Sequence, residues 1–221
     1  MASGRSADRQ ETRWAARSRA GYVVSKRVLD VAASAIALVV FAPVMAVIAC
    51  AIAIESRGPI LFTQERLGRG GATFLMFKFR SMRVAPVGSG PLVTAAGDRR
   101  VTSVGRFLRR HKLDELPQLV NVIRGEMSLV GPRPEVARHA RAYPVEYQRV
   151  LSVRPGMVDY AALEYRDEEE LLARSADPEV AYIQDVLPSK IRLYFRYIEE
   201  MSMKTDLVLI ARTVRALVGR P

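Results

Sequence analysis

The chain has 221 residues, 49% of them hydrophobic, and a formal net charge of +11 at pH 7. Its length supports one domain with a sizeable core plus appendages, and its charge calls for an anionic partner: a membrane surface, nucleic acid or phosphorylated substrates. The lone cysteine, Cys50, excludes an intramolecular disulfide and a cysteine-rich zinc site, and the two histidines, His111 and His139, lie in basic, polar settings unsuited to a metal cluster.

Residues 1–25 are rich in Arg, Ser and Ala and read as a basic arm, disordered or loosely helical. The arm lacks the apolar core of a secretory signal peptide. Val31 to Ile54 carries no formal charge, with Lys26, Arg27 and Asp30 before it and Glu55 and Arg57 after. As one helix it would measure roughly 36 Å, against about 30 Å for a hydrocarbon core. Pro43 sits at its midpoint, where it removes a backbone hydrogen bond and kinks or breaks the helix. A spanning helix would put the arm and the rest of the chain on opposite sides of a membrane. Both flanks are basic, so the positive-inside rule favours a hairpin turning at Pro43, with each half about 16–18 Å long and one leaflet deep.

Gly58 to Arg83 reads as a β-hairpin, with strands from Ile60 and over Thr73 to Phe79 joined around Gly68-Arg69-Gly70-Gly71. Period two puts Lys78 and Arg80 on one strand face, suited to phosphate contact or to exposure. Val84 to Asp98 is a Gly-, Pro- and Ala-rich loop, and Arg99 to Arg110 a basic helical stretch with Val101, Val104, Phe107 and Leu108 on one face.

The stretch with the most chemistry is Arg109 to Glu135, R-R-H-K-L-D-E-L-P-Q-L-V-N-V-I-R-G-E-M-S-L-V-G-P-R-P-E. Adjacent carboxylates, Asp114 and Glu115, follow the basic run Arg109 to Lys112. An apolar helical stripe of Leu116, Leu119, Val120 and Ile123 then runs to Gly125, before the proline-bracketed Arg133. On spacing alone Asp114 can be a helix N-cap, Glu115 a first-turn acid and Pro117 a first-turn proline. Carboxylates amid cations also suit phosphoryl chemistry, in which cations hold phosphates, one carboxylate attacks and the other holds a metal.

L-D-E-L-P-Q-L-V-N-V-I-R-G-E-M-S-L-V-G-P-R-P-E resembles the signature of the bacterial sugar transferases, the small monotopic phosphoglycosyl transferases. G-P-I-L-F-T-Q-E-R-L-G-R-G-G-A-T-F-L-M-F-K-F-R-S-M resembles their second block. The likeness runs from about Lys26 to Gly156 and more loosely beyond. It implies transfer of a phosphosugar from a UDP-sugar to undecaprenyl phosphate, with Asp114 as nucleophile and Glu115 holding Mg²⁺ (or Mn²⁺). It also implies phosphate or nucleotide contacts from Lys78, Arg80, Arg109, Pro132, Arg133, Pro134 and Arg154, and a re-entrant helix broken at a Ser-Pro pair. This chain has Ala42-Pro43 there, so the serine hydroxyl is missing. It also departs after Arg154-Pro155-Gly156: Met157-Val158-Asp159-Tyr160-Ala161-Ala162-Leu163-Glu164-Tyr165-Arg166 replaces the usual Ile-Thr-Gly and Gln-Val-Asn-Gly-Arg runs, so the sugar does not transfer with the resemblance.

Asp206 to Val218 is amphipathic, with Leu207, Ile210, Val214 and Leu217 opposite Arg212 and Arg215, which suits either a membrane interface or core packing. The expected architecture is α+β and mainly α: the arm over 1–25, a re-entrant membrane hairpin over 26–56, and a catalytic domain over 57–221 facing the cytoplasm of a bacterial inner membrane. Expected partners are a UDP-sugar, undecaprenyl phosphate and anionic lipids, with room for a homodimer and no nucleic acid. The rival readings are a membrane-tethered basic binding module without catalysis and a phosphatase using Asp114 with water as acceptor. The basic residues do not alternate with aromatics, which argues against base stacking.

Overall fold

The computed structural model describes residues 3–84 and 93–219, so most of the Gly- and Pro-rich loop expected over 84–98 lies outside the described residues. The fold is mainly helical with two small sheets among those residues. Helix α1 (Ser3–Glu55) contains the apolar stretch, and the basic arm is continuous with it as helix from Ser3. Backbone helicity also continues through Pro43, where the sequence suggested a break. A proline removes one N–H, and the flanking turns keep theirs.

Only the two ends of the apolar stretch are packed. Ile48 and Ile52 are buried against Phe79 and Leu108, and Asp30 and Ser34 are buried toward the other end. Between them Ile36, Val39, Val40, Phe41, Val44 and Val47 are exposed. An exposed run of aliphatic side chains on a helix is what lipid, rather than water, accommodates.

Strands β1 (Leu61–Leu67) and β2 (Thr73–Phe79) form the expected hairpin, with Leu61 opposite Phe79 and Leu67 opposite Thr73. Gly70 and Gly71 supply the positive φ of the turn, at 72° and 81°. Phe74 and Met76 are buried against Val122 and Met127, so the period of two carries Lys78 onto the same inward side.

Helix α2 (Ser103–Arg110) starts at Thr102, whose hydroxyl accepts from Gly105 N at 3.0 Å. Glu55 reaches back from the end of α1 to accept from Ser103 N and Val104 N, an acid where the helix dipole favours one. Helix α3 (Gln118–Arg124) carries the apolar stripe of the signature. It ends at Gly125, φ 86°, the left-handed glycine stop the sequence suggested.

Strand β3 (Ser128–Val130) pairs in parallel with β4 (Gly156–Val158), between which lie the short helices α4 (Ala137–Ala140) and α5 (Pro144–Val150). Helices α6 (Tyr160–Glu164), α7 (Glu168–Leu172) and α8 (Pro178–Ala181) follow, and a π-helical turn (Tyr182–Val186) leads into α9 (Leu187–Glu200). Leu187, Ile191 and Tyr194, spaced by four and three, bury one face of α9 in the main core with Tyr147, Val150 and Leu172. Helix α10 (Met203–Val218) buries Leu209 fully, yet leaves Leu207, Val208, Val214 and Leu217 exposed. Its apolar face is thus only partly used by the core.

Candidate active site

Asp114 and Glu115 lie in a 3-10 turn, Leu113–Glu115, between α2 and α3. Lys112 turns the chain into it with a left-handed backbone, φ 56°, which costs a non-glycine residue roughly 1–2 kcal/mol. Asp114 is 5% exposed, and its Oδ1 has no hydrogen-bond partner. Its neighbour is held firmly. Glu115 Oε1 accepts from Lys78 Nζ at 3.1 Å and from Arg133 Nη2 at 2.5 Å, and Oε2 accepts from Arg133 Nη1 at 3.3 Å.

Adjacent carboxylates therefore diverge. Burial pushes Glu115 up, but Arg133 and Lys78 outweigh it and hold the group well below the usual carboxylate range. For Asp114 burial prevails, reinforced by the charge of Glu115 against Lys78, Arg109 and Lys112, and its pKa is raised. Burial also lowers the Lys78 ammonium, with Glu115 opposing.

Arg133 is aimed by its backbone as well as by Glu115. Its N–H donates to Asp159 Oδ2 at 2.8 Å, while Asp159 Oδ1 caps α6 through Ala162 N. Gly131 N donates to Val158 O and Gly156 N to Pro132 O, so the Gly131-Pro132-Arg133-Pro134 loop is stitched to β4. On its other side Arg66 Nη1 donates to Glu135 Oε1 at 3.0 Å and to Pro134 O at 3.3 Å, and Tyr182 Oη donates to Glu135 Oε2 at 2.5 Å. Burial would raise Glu135, yet His139, Arg66 and Tyr182 bring it down to about 2.

Of the residues expected from the sequence, Asp114, Glu115, Lys78 and Arg133 come together, with Pro132 and Pro134 framing Arg133. Arg109 pairs with Glu169 at 2.5 Å and still acts on Asp114 electrostatically. Arg80 is directed elsewhere: it is buried and donates to the carbonyls of Ile52, Ser56 and Arg57, capping the C-terminus of α1. Arg154 donates through Nε to Gly125 O at 3.0 Å and faces a separate cavity. Pro43 lies in the exposed run of α1.

Among the described residues no group of three or more His, Cys, Asp or Glu could hold a metal ion. A divalent ion of the magnesium kind needs only one or two carboxylates, the rest of its shell coming from water and phosphates. Glu115 fits that demand, because its Oε2 takes only the one long contact.

The family model described as bacterial sugar transferase matches residues 21–220. The chain belongs to that family. A UDP-glucose:undecaprenyl-phosphate glucose-1-phosphate transferase of Caulobacter vibrioides is 40% identical over 87% of this chain and 69% of its own length. A UDP-N-acetylgalactosamine-undecaprenyl-phosphate N-acetylgalactosaminephosphotransferase of Aeromonas hydrophila is 36% identical, over 89% of this chain and 44% of its own. A UDP-glucose:undecaprenyl-phosphate glucose-1-phosphate transferase of Escherichia coli K12 is 35% identical, over 86% and 39%. The chain thus spans between about two-fifths and about two-thirds of these relatives.

Sequence reasoning missed the residues that hold Arg133. Asp159 announces itself only as a helix cap, and nothing local shows that its second oxygen takes the Arg133 N–H. Glu135 stands inside the signature, but Arg66 and Tyr182 lie 69 and 47 residues away.

Proposed function

We propose that this chain transfers a phosphosugar from a UDP-sugar to undecaprenyl phosphate through a covalent aspartyl intermediate, initiating assembly of a glycoconjugate. The observation that carries the reading is the buried Asp114 carboxylate with an unpartnered Oδ1, beside a Glu115 bridged by Lys78 and Arg133.

Asp114 attacks the phosphorus that bears the sugar. The new P–O bond forms as the bond to the leaving phosphate breaks, UMP departs, and an acyl phosphate carrying the sugar remains. A phosphate oxygen of undecaprenyl phosphate then attacks the same phosphorus, and the carboxylate leaves as it arrived. Arg133 and Lys78, anchored on Glu115, present cations to the phosphates where charge accumulates. Arg109, turned from Glu169, would add a third. A divalent cation held through Glu115 supplies further neutralisation of the phosphate charge when bound.

In this reading α1 enters and leaves the membrane on one face, with the domain in the cytoplasm. Support comes from both ends of the apolar stretch docking on the same domain. Near its start, Lys26 pairs with Asp206, Arg27 donates to Val122 O and Ile123 O, and Asp30 accepts from Ser128. At its end Arg80 caps α1 and Glu55 caps α2. A helix spanning about 30 Å of hydrocarbon would divide these contacts between two compartments.

Asp114→Asn keeps the shape of the side chain but gives up the anionic nucleophile. It should fold and lose turnover by roughly a thousandfold or more, at least about 4 kcal/mol of barrier. With UDP-sugar and no lipid, wild type should carry a phosphosugar adduct on the peptide containing Asp114, detected by mass spectrometry. Release of free sugar phosphate without lipid would mark a hydrolase, and absence of UMP release from a panel of UDP-sugars would mark a binding module. An adduct on another residue, or a normally active Asp114→Asn protein, overturns the mechanism.

A further inference from the structure

A second cluster of cations lies away from Asp114. A cavity of about 100 Å³ opens where the first turns of the apolar helix meet β3 and the Arg154-Pro155-Gly156 turn. Lys26, Arg27, Arg69 and Arg154 line it, together with Asp30 and Ser128, and it shares no lining residue with the Asp114–Glu115–Lys78–Arg133 group. We propose that this cavity is a phosphate-binding site, taking the phosphate group of a lipid headgroup or a small soluble phosphate.

The charges around it do not balance. Lys26 is matched by Asp206 at 2.8 Å. Asp30 is committed to Ser128 and to the backbone of Leu129, and it alone opposes three arginines. Arg27 gives its terminal nitrogens to the carbonyls of Val122 and Ile123, which hold it in place without neutralising it. Arg154 uses only Nε, on Gly125 O. Arg69 makes no hydrogen bond or ion pair among the described residues, although its backbone is pinned, because Gly70 N donates to Leu151 O at 2.8 Å. Burial and then the charges of Arg27 and Arg69 lower the Arg154 guanidinium, so the three repel one another as they stand. An anion removes that repulsion and supplies the missing acceptors.

Size and position narrow the ligand. The cavity, about 100 Å³, has room for a phosphate group. Lys26 and Arg27 precede the uncharged run at Val31 by four or five residues, about 6–8 Å of helix. That is the depth of a headgroup layer flanking the hydrocarbon. The phosphate chemistry stands on the cavity alone, whereas the lipid source rests on the membrane reading given above.

The test is isothermal titration of the detergent-purified full chain with dihexanoyl phosphatidylglycerol, dihexanoyl phosphatidylcholine and inorganic phosphate. Phosphatidylglycerol should bind more tightly than phosphatidylcholine, and Arg69→Gln/Arg154→Gln should lose at least tenfold in affinity. Binding of inorganic phosphate as tight as that of the lipid assigns the site to a soluble anion. Should the double variant not fold, Arg69→Gln alone, at an exposed and unbonded side chain, should lose severalfold. No binding of any of the three by wild type, or equal binding by the variants, overturns the site. Flotation of the full chain with phosphatidylglycerol vesicles separates the two readings: a chain that does not float but binds inorganic phosphate through Arg69 and Arg154 sinks the membrane reading and keeps the site.

Discussion

Lys78 sits at the end of an inward-facing strand pattern, Phe74, Met76, Lys78, where an aliphatic residue would satisfy the packing. It is instead an ammonium whose pKa burial lowers, with the charge of Glu115 opposing. Its charge is also the largest influence holding the Asp114 carboxyl down against burial. In the proposed mechanism Asp114 attacks in its ionised form, so activity should rise with pH through its raised pKa, and the acid limb of kcat/KM should lie above the ordinary aspartate value. Replacing Lys78 by Met keeps the length and removes the charge. The Lys78→Met acid limb should move to still higher pH, with a fall in kcat/KM of roughly 10- to 150-fold for the lost charge-assisted contact. A pH–rate profile measures both. An acid limb that stays in place would show that Lys78 does not act on Asp114.

Elements differ in how far their sequences announce them. The β1–β2 hairpin was legible because alternation and a run of glycines coincide, and α3 because an apolar stripe stops at a glycine. The parallel β3–β4 pair was not: each strand has three residues, too few to alternate, and the partners are 28 positions apart. Yet this pair sets the active loop. A Cβ on Gly156 would lie 2.1 Å from Gly131 N and 2.6 Å from Gly131 Cα, backbone that cannot swing aside. Gly156→Ala should therefore part the strands, break the Gly131–Val158 and Gly156–Pro132 bonds and shift Arg133. We expect destabilisation of about 1–3 kcal/mol or more and a loss of UMP release beyond what stability explains. Gly70→Ala is the contrast: nothing lies within 4 Å of its Cβ, and only the positive φ costs it, about 1–2 kcal/mol, with turnover intact. Thermal unfolding by circular dichroism alongside UMP release separates the two effects. Equal behaviour of the variants would mean that the close strand approach does not position Arg133. The same long-range character explains why Asp114 and Glu115 were readable as a local pair, whereas the roles of Arg80 and Arg154 depend on where α1 ends and on a distant hairpin tip.

At the scale of the whole molecule, the proposed re-entrant arrangement accounts together for the exposed apolar surface of α1 and the cations at its base. The helix from Gly21 to Glu55 is long and apolar enough to cross a membrane, with 11% of an 18-residue apolar stretch within it buried. Length alone therefore favours crossing. The contacts at its ends oppose it, because Arg27 and Asp30 are bonded to α3 and β3 while Ile52 and Glu55 are bonded to Arg80 and α2 of the same domain. Crossing would require breaking one set, several charge-assisted hydrogen bonds worth about 1.5–3 kcal/mol each. It would also move the basic arm against the positive-inside bias. Cysteines placed at Ser6 and at Ser103, one at a time in a Cys50→Ser background, should then both be shielded from an impermeant thiol reagent in intact cells and both react after lysis. Cys50 has to be removed because its side chain is exposed on α1. Labelling of the Ser6 position alone would establish a spanning helix, and labelling of both would place the domain outside the cytoplasm, so either result defeats the re-entrant arrangement proposed here.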